Sequence, residues 1–213
     1  MEGLRASGGN GGEGAPERNE GLAGRTLGWA LCGSHHTLRL VLPVMREVRA
    51  AGATIIPILS DTILRTSTRH GDPEGWWDQV TAAAGREPLT TIPEVEPFGP
   101  QRTCDCLLVA PCTGNSLAKL ANALTDSAPL MAAKAQLRNG RPVVIGLTTN
   151  DALGLNAQNL GRLLCARHVY FVPFGQDSPQ AKPTSLVSHF DLCGPSVLAA
   201  LQGRQLQPLL QAW

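Results

Sequence analysis

Charge is scarce in this chain. Charged residues make up 16% of its 213 residues, and 18 Lys and Arg nearly cancel 17 Asp and Glu to a formal net charge of +1. That leaves little overall attraction for nucleic acid or an anionic membrane surface, so neither is expected as a partner. With 43% hydrophobic residues, 23 Gly and 16 Pro, the balance argues against a long coiled coil, a wholly disordered chain and a collagen repeat. No apolar run reaches transmembrane length, and no N-terminal run resembles a signal peptide. Six cysteines are too sparse for a disulfide-dense mini-domain, so a reducing cytoplasm is the expected compartment. Three site motifs are also missing. The G-x-G-x-x-G dinucleotide fingerprint is absent, with Gly28 lying inside an apolar run, and so is the Walker A pattern. Neither His168 nor His189 has the i,i+4 partner of an H-E-x-x-H zinc site, and no metal site is expected. Cys104 and Cys106, a C-x-C at the entrance to an apolar run, read as structural thiols.

What is present is an alternating α/β rhythm. Residues 1–24 are Gly-rich without apolar periodicity and read as a mobile tail, followed by one α/β domain over residues 25–213. Apolar runs at 26–32, 53–59, 104–110, 141–147 and 168–172 predict five parallel strands in an open sheet covered on both faces, a three-layer Rossmann-like or flavodoxin-like sandwich. Between the first two runs, Leu38, Val41, Met45 and Val48 repeat at helical spacing, with Pro43 predicted to kink the helix or start a new one. Leu206, Leu209, Leu210 and Trp213 also recur at helical spacing despite Pro208, giving an apolar face that meets either the domain itself or another protomer.

In an open parallel sheet the ligand crevice lies beyond the carboxyl ends of the strands, at a change in strand order. Four polar loops fall at that level. Gly33, Ser34, His35 and His36 follow the first run; Gly33 permits close backbone approach, and Ser34 supplies a hydroxyl where a helix exposes unpaired amides, which suits phosphate oxygens. Ser60 and Thr62 follow the second run. Pro111, Thr113, Gly114, Asn115 and Ser116 follow the third, leading into a helix with Lys119 on its polar line and Leu117, Leu120, Ala121 and Leu124 on its buried face. Asn150 follows the fourth and offers both donor and acceptor to a heterocycle, while Asp126 is expected to cap the next helix. Arg65, Arg69 and His70 make a local positive segment suited to a small dicarboxylate, with a solvated loop as the plain alternative. No residue stands out as the catalytic acid, base or hydride acceptor.

The sequences Leu31-Cys32-Gly33-Ser34-His35, Ala110-Pro111-Cys112-Thr113-Gly114-Asn115-Ser116, Thr149-Asn150-Asp151-Ala152-Leu153-Gly154-Leu155-Asn156 and Phe171-Val172-Pro173-Phe174-Gly175 together resemble the flavoprotein family that contains homo-oligomeric, flavin-containing cysteine decarboxylases. The resemblance runs from about Thr26 to Trp213 and implies a flavodoxin-like fold. It implies FMN or another phosphate-bearing ligand near Gly33, Ser34 and the Ser60 loop, with further contacts at Thr113 to Ser116. Within that family the match is to a branch that acts beside a separate nicotinamide-binding subunit. The branch implies NADP held on that partner, NADP-dependent oxidation of a dihydropyridine dicarboxylate or its hydrated precursor, a homo- or hetero-oligomer, and the mother-cell cytoplasm of a sporulating bacterium. Two departures bear on the decarboxylases: Pro97-Phe98-Gly99-Pro100 stands where their histidine is expected, and Leu147-Thr148-Thr149-Asn150-Asp151 replaces a Pro- and Met-containing motif. An independent FMN-binding oxidoreductase or decarboxylase and a structural adaptor are the alternative readings.

Overall fold

The computed structural model of the protein describes residues 19–213. Seven strands build the sheet: β1 (Thr26–Leu31), β2 (Thr54–Leu59), β3 (Cys106–Cys112), β4 (Val143–Thr149), β5 (Val169–Phe171), β6 (Phe174–Gly175) and β7 (Leu186–Ser188). The first five pair in parallel in the order β2-β1-β3-β4-β5. That order is the flavodoxin-like one, and it changes direction between β1 and β3. β4 serves two neighbours. Its first half pairs with β5, whereas Thr148 and Thr149 pair with the antiparallel β7, which continues to β6. Ser188 splices this junction: its hydroxyl accepts from the Leu147 amide at 2.8 Å and donates to the Val172 carbonyl at 3.2 Å, wholly buried. The sheet is therefore mostly parallel with a short antiparallel extension. β6 and β7, two and three residues long and outside any apolar run of the parallel-strand rhythm, were not read from sequence.

Period-two alternation assigns the strand side chains to two cores. Leu27, Trp29, Leu31, Cys106, Leu108, Ala110 and Val144 face one, which is covered by α1 (His35–Ala50), α3 (Pro73–Ala84) and α8 (Cys193–Leu201). Ala30, Leu107, Val109, Ile145 and Leu147 face the other, covered by α4 (Ile92–Val95), α5 (Gly114–Ala121), α6 (Ala128–Arg138) and α7 (Ala157–Leu164). A five-residue helix, α2 (Asp61–Arg65), follows β2. Across the switch point the Trp29 indole donates to the Ala110 carbonyl at 2.9 Å, joining β1 to β3 inside the first core.

Three expectations are corrected. No new helix starts at Pro43: α1 continues through it for sixteen residues, with Leu38, Val41, Met45 and Val48 all buried. Apolar burial along that face outweighs the one backbone hydrogen bond that proline withholds. The C-terminal residues form no helix; Leu210 bridges Phe174 in parallel, and the chain runs extended along β6. Open backbone groups on a sheet edge recruit this segment more strongly than its apolar spacing favours a helix with Pro208 inside it. Of the tail expected over residues 1–24, residues 1–18 lie outside the described residues, while Leu22 is fully buried in the first core.

Candidate functional site

The carboxyl ends of β1, β2 and β3 open into a cavity of about 450 Å³ at the switch point. Gly33 from the first loop, Ser60, Asp61 and Thr62 from the second, and Thr113, Asn115, Ser116 and Lys119 from the third line it. The start of α6 closes the wall with Asp126, Ser127 and Leu130.

Local packing explains how these loops meet. A Cβ built on Gly33 falls 2.4 Å from Thr62 Cγ2, so only glycine lets the first two loops close on one another. The Cys32 amide donates to the Pro111 carbonyl at 3.1 Å, tying the exit of β1 to β3. Thr113 is the N-cap of α5: its Oγ1 accepts from the Ser116 amide at 3.3 Å and lies 3.1 Å from the Ser116 hydroxyl. At the other side of α5, a Cβ on Gly114 would meet Thr149 Oγ1 at 2.5 Å and Asp151 Oδ1 at 3.0 Å. The loop after β4 thus presses directly on the helix start. It is held by the Thr149 hydroxyl donating to Asp151 at 2.6 Å and by Asn156 donating to the same carboxylate at 2.9 and 3.0 Å.

The electrostatics of the cavity rest on pairs. Lys119 Nζ lies 2.7 Å from Asp126 Oδ2, and this hydrogen bond holds the Asp126 carboxyl below its usual range. Asp126 is therefore spent on Lys119 and caps no helix; Ser127 stands at the N-cap of α6. Arg65 lies 3.5 Å from Asp61. The Ser60 hydroxyl, by contrast, is buried with no partner, so the wall keeps one unsatisfied polar group. Burial pushes the Cys32 thiol up to about 11 against the opposing hydrogen bonds of Ser116 and Thr113, and it also raises Cys112 well above the ordinary thiol value. These thiols stay protonated near neutrality and are poor nucleophiles.

Of the sequence-predicted ligand residues, Gly33, Ser60, Thr62, Thr113, Asn115 and Ser116 share the cavity lining. Ser34, His35, Pro111, Gly114 and Asn150 stand outside it. The Ser34 hydroxyl pairs with Thr37 at 2.7 Å, which in turn lies 3.3 Å from the Thr148 hydroxyl on β4. His35 is buried with its ring edge-on to Trp76 at 6.1 Å, and burial lowers its pKa against an opposing backbone contact at Thr62. Asn150 is exposed, and its carbonyl accepts from the Thr184 hydroxyl at 2.6 Å. The basic segment also divides: Arg65 turns to Asp61, whereas Arg69 Nε donates to His70 Nε2 at 3.2 Å. Arg39 and His36 of α1 join that pair, Arg39 through the His70 carbonyl at 3.0 Å and His36 through ring centroids 5.3 Å apart. Sequence reading missed Arg39 because only the fold brings α1 beside the turn at residue 70. Leu124, expected on the buried face of α5, is 52% exposed because the helix ends at Ala121. Among the described residues no group of three or more His, Cys, Asp or Glu could hold a metal ion, and no helix is long and apolar enough to cross a membrane.

The family model described as Flavoprotein matches residues 16–180. The B-type subunit of dipicolinate synthase from Bacillus subtilis (strain 168) is 46% identical over 189 residues, which is 89% of this chain and 94% of that protein. The crystal structure of the corresponding dipicolinate synthase protein, again the B-type subunit, from Bacillus halodurans C superposes with a TM-score of 0.83 at 45% identity, covering 90% of this chain and 98% of the other. The crystal structure of the FMN-dependent cysteine decarboxylase SpaF shares the fold, with a TM-score of 0.61 at 19% identity over 84% of this chain and 98% of the other.

Proposed function

The chain belongs to the flavoprotein family, and from that premise we propose that it acts as the B-type subunit of a dipicolinate synthase. In this reading it works beside a separate, A-type subunit that carries NADP, in the oxidation of dihydrodipicolinate or its hydrated precursor to pyridine-2,6-dicarboxylate. It does so as part of a homo- or hetero-oligomer in the mother-cell cytoplasm during sporulation. The observation that carries the reading is the 46% identity extending over 89% of the chain. The missing dinucleotide fingerprint is consistent with a nicotinamide held elsewhere.

In the reaction, hydride leaves the dihydro ring for NADP and a proton leaves to solvent or a base, giving the aromatic dicarboxylate; the hydrated precursor first loses water. This chain's part is to bind and orient. The switch-point cavity fits the phosphate of FMN or a related ligand. The partnerless Ser60 hydroxyl and the hydroxyls of Thr62, Thr113 and Ser116 supply uncharged donors, while the Asp61 and Asp126 carboxylates are paired with Arg65 and Lys119. Bound flavin would supply a two-electron redox ring at the sheet rim. Of the basic segment, Arg69 and His70 are the residues proposed to receive the substrate carboxylates, Arg65 being paired with Asp61.

Reconstitution tests the reading. The two proteins, separately and mixed, are assayed with substrate and NADP by NADPH absorbance, and activity is expected only in the mixture. Full activity without this chain defeats the assignment, and a mixture whose rate ignores substitutions in the cavity marks a structural adaptor. The same cavity favours a second reading, an independent FMN enzyme. A flavin spectrum that bleaches with substrate when the nicotinamide-binding partner is left out would select it.

A further inference from the structure

The turn after α2 is firmly built and densely cationic. Thr68 and Gly71 exchange backbone hydrogen bonds of 2.9 and 3.2 Å, and the His70 amide donates to the Thr68 hydroxyl at 3.1 Å. Gly71 sits against the buried Trp76 indole, where a Cβ would lie 2.9 Å from Nε1. This turn presents Arg69 and His70 to solvent beside the first two turns of α1, where His36 and Arg39 meet them through the contacts described above.

None of these groups is neutralised. Among the described residues the ion pairs are Arg65–Asp61, Lys119–Asp126 and Lys182–Asp177, and Arg39 and Arg69 belong to none. The nearest acid in sequence, Asp72, gives its carboxylate to the Gly75 amide at 2.8 Å as the cap of α3. α1 has no acidic residue in its first turn, and its N-cap Ser34 makes no capping side-chain bond, so the positive end of a sixteen-residue helix adds to the same field. Besides partial desolvation, every charge acting on His70 is positive, from Arg69, His36, Arg39 and His35, and its pKa lies below the ordinary value. Two guanidinium groups and two imidazoles converge with no carboxylate of their own.

We propose that His36, Arg39, Arg69 and His70 form a receptor for a doubly charged oxyanion, either a phosphate monoester or a small dicarboxylate, which binds with uptake of a proton. Two guanidinium groups supply directed donors, and an imidazole that is neutral when the site is empty becomes a further donor as the anion arrives. Assigning the dicarboxylate to this receptor rests on the function proposed above; the anion chemistry does not. Arg65, spent on Asp61, is not part of it.

Calorimetric titration of the full chain at low ionic strength, with inorganic phosphate and separately with pyridine-2,6-dicarboxylate, tests the receptor. Both are expected to saturate, and pyridine-2,6-dicarboxylate, which stays a dianion across this range, to bind about tenfold more tightly near pH 6 than near pH 8, with its proton uptake read from buffers of different ionisation enthalpy. Arg39→Gln with Arg69→Gln should lower affinity about tenfold or more at unchanged melting temperature, while Arg65→Gln should not. If the double variant melts early, Arg39→Lys with Arg69→Lys, retaining charge, and His36→Gln with His70→Gln take its place, the latter abolishing proton uptake. Equal binding by parent and variants overturns the proposal. So does proton uptake surviving loss of both histidines, or failure of both dianions to saturate, including the case in which the arginine variant instead loses an acidic protein partner. Phosphate binding without dicarboxylate binding upholds the receptor and counts against the substrate assignment alone.

Discussion

Gly33→Ala isolates the packing that opens the switch-point cavity. The new methyl would lie 2.4 Å from Thr62 Cγ2 and 2.6 Å from Thr62 Cβ, distances at which one of the two loops must move. Gly33 does not have a left-handed φ, so the cost is one of space and not of torsion. Overpacking of this kind costs about 1–3 kcal/mol, equivalent to a melting-temperature loss of about 2–12 °C for a chain of this size. The displacement also parts the first loop from the second, so FMN affinity, followed by quenching of flavin fluorescence, should fall about tenfold or more. Thr62→Gly removes both colliding atoms, and the double variant should regain most of the lost melting temperature. Gly33→Ala melting and binding like the parent would refute the claim that these two loops are closed by glycine alone.

Asp126→Asn releases Lys119 into the cavity, and phosphate-bearing ligands should bind several-fold more tightly while stability changes by less than about 1 kcal/mol, because the pair is solvent-facing. Since Lys119 depresses the Asp126 pKa, the small stability it contributes is present above the ordinary carboxylate value of 3.8 and is lost as pH falls through the folded value; a urea midpoint series below about pH 4 should show its loss only in the parent. Maleimide at about pH 8 should label Cys165 first, as the exposed cysteine, with Cys32, pushed up to about 11, protected until unfolding; peptide mass mapping reads both. Ser188→Ala strands the Leu147 amide and the Val172 carbonyl in the core and should cost about 2–4 kcal/mol by denaturant titration, with faster amide exchange at Leu147.

The five parallel strands were legible because each is a short apolar run between polar loops, and burial on both faces demands that pattern whatever the details of packing. The loops carrying Gly33, Ser60, Thr62 and Thr113 to Ser116 were legible for a related reason: they follow those runs, and the carboxyl ends of parallel strands share one rim. Lys119 and Asp126 illustrate the limit. Each was visible as a polar residue, but their 2.7 Å pairing depends on how α5 ends and α6 begins. Sequence spacing suggested a cap for Asp126, whereas Coulomb attraction to a nearby ammonium had the better geometry.

Local chemistry along the chain was enough to determine strand and helix types, the level of the polar loops and the absence of a nicotinamide fingerprint, because these follow from period, turn residues and short motifs. Only the tertiary structure decided that β4 leaves β5 for β7, that the C-terminal segment edges the sheet, that Asn150 stands outside the cavity and that Arg39 meets His70. Those outcomes depend on contacts between residues far apart in the chain, whose energies no local pattern records.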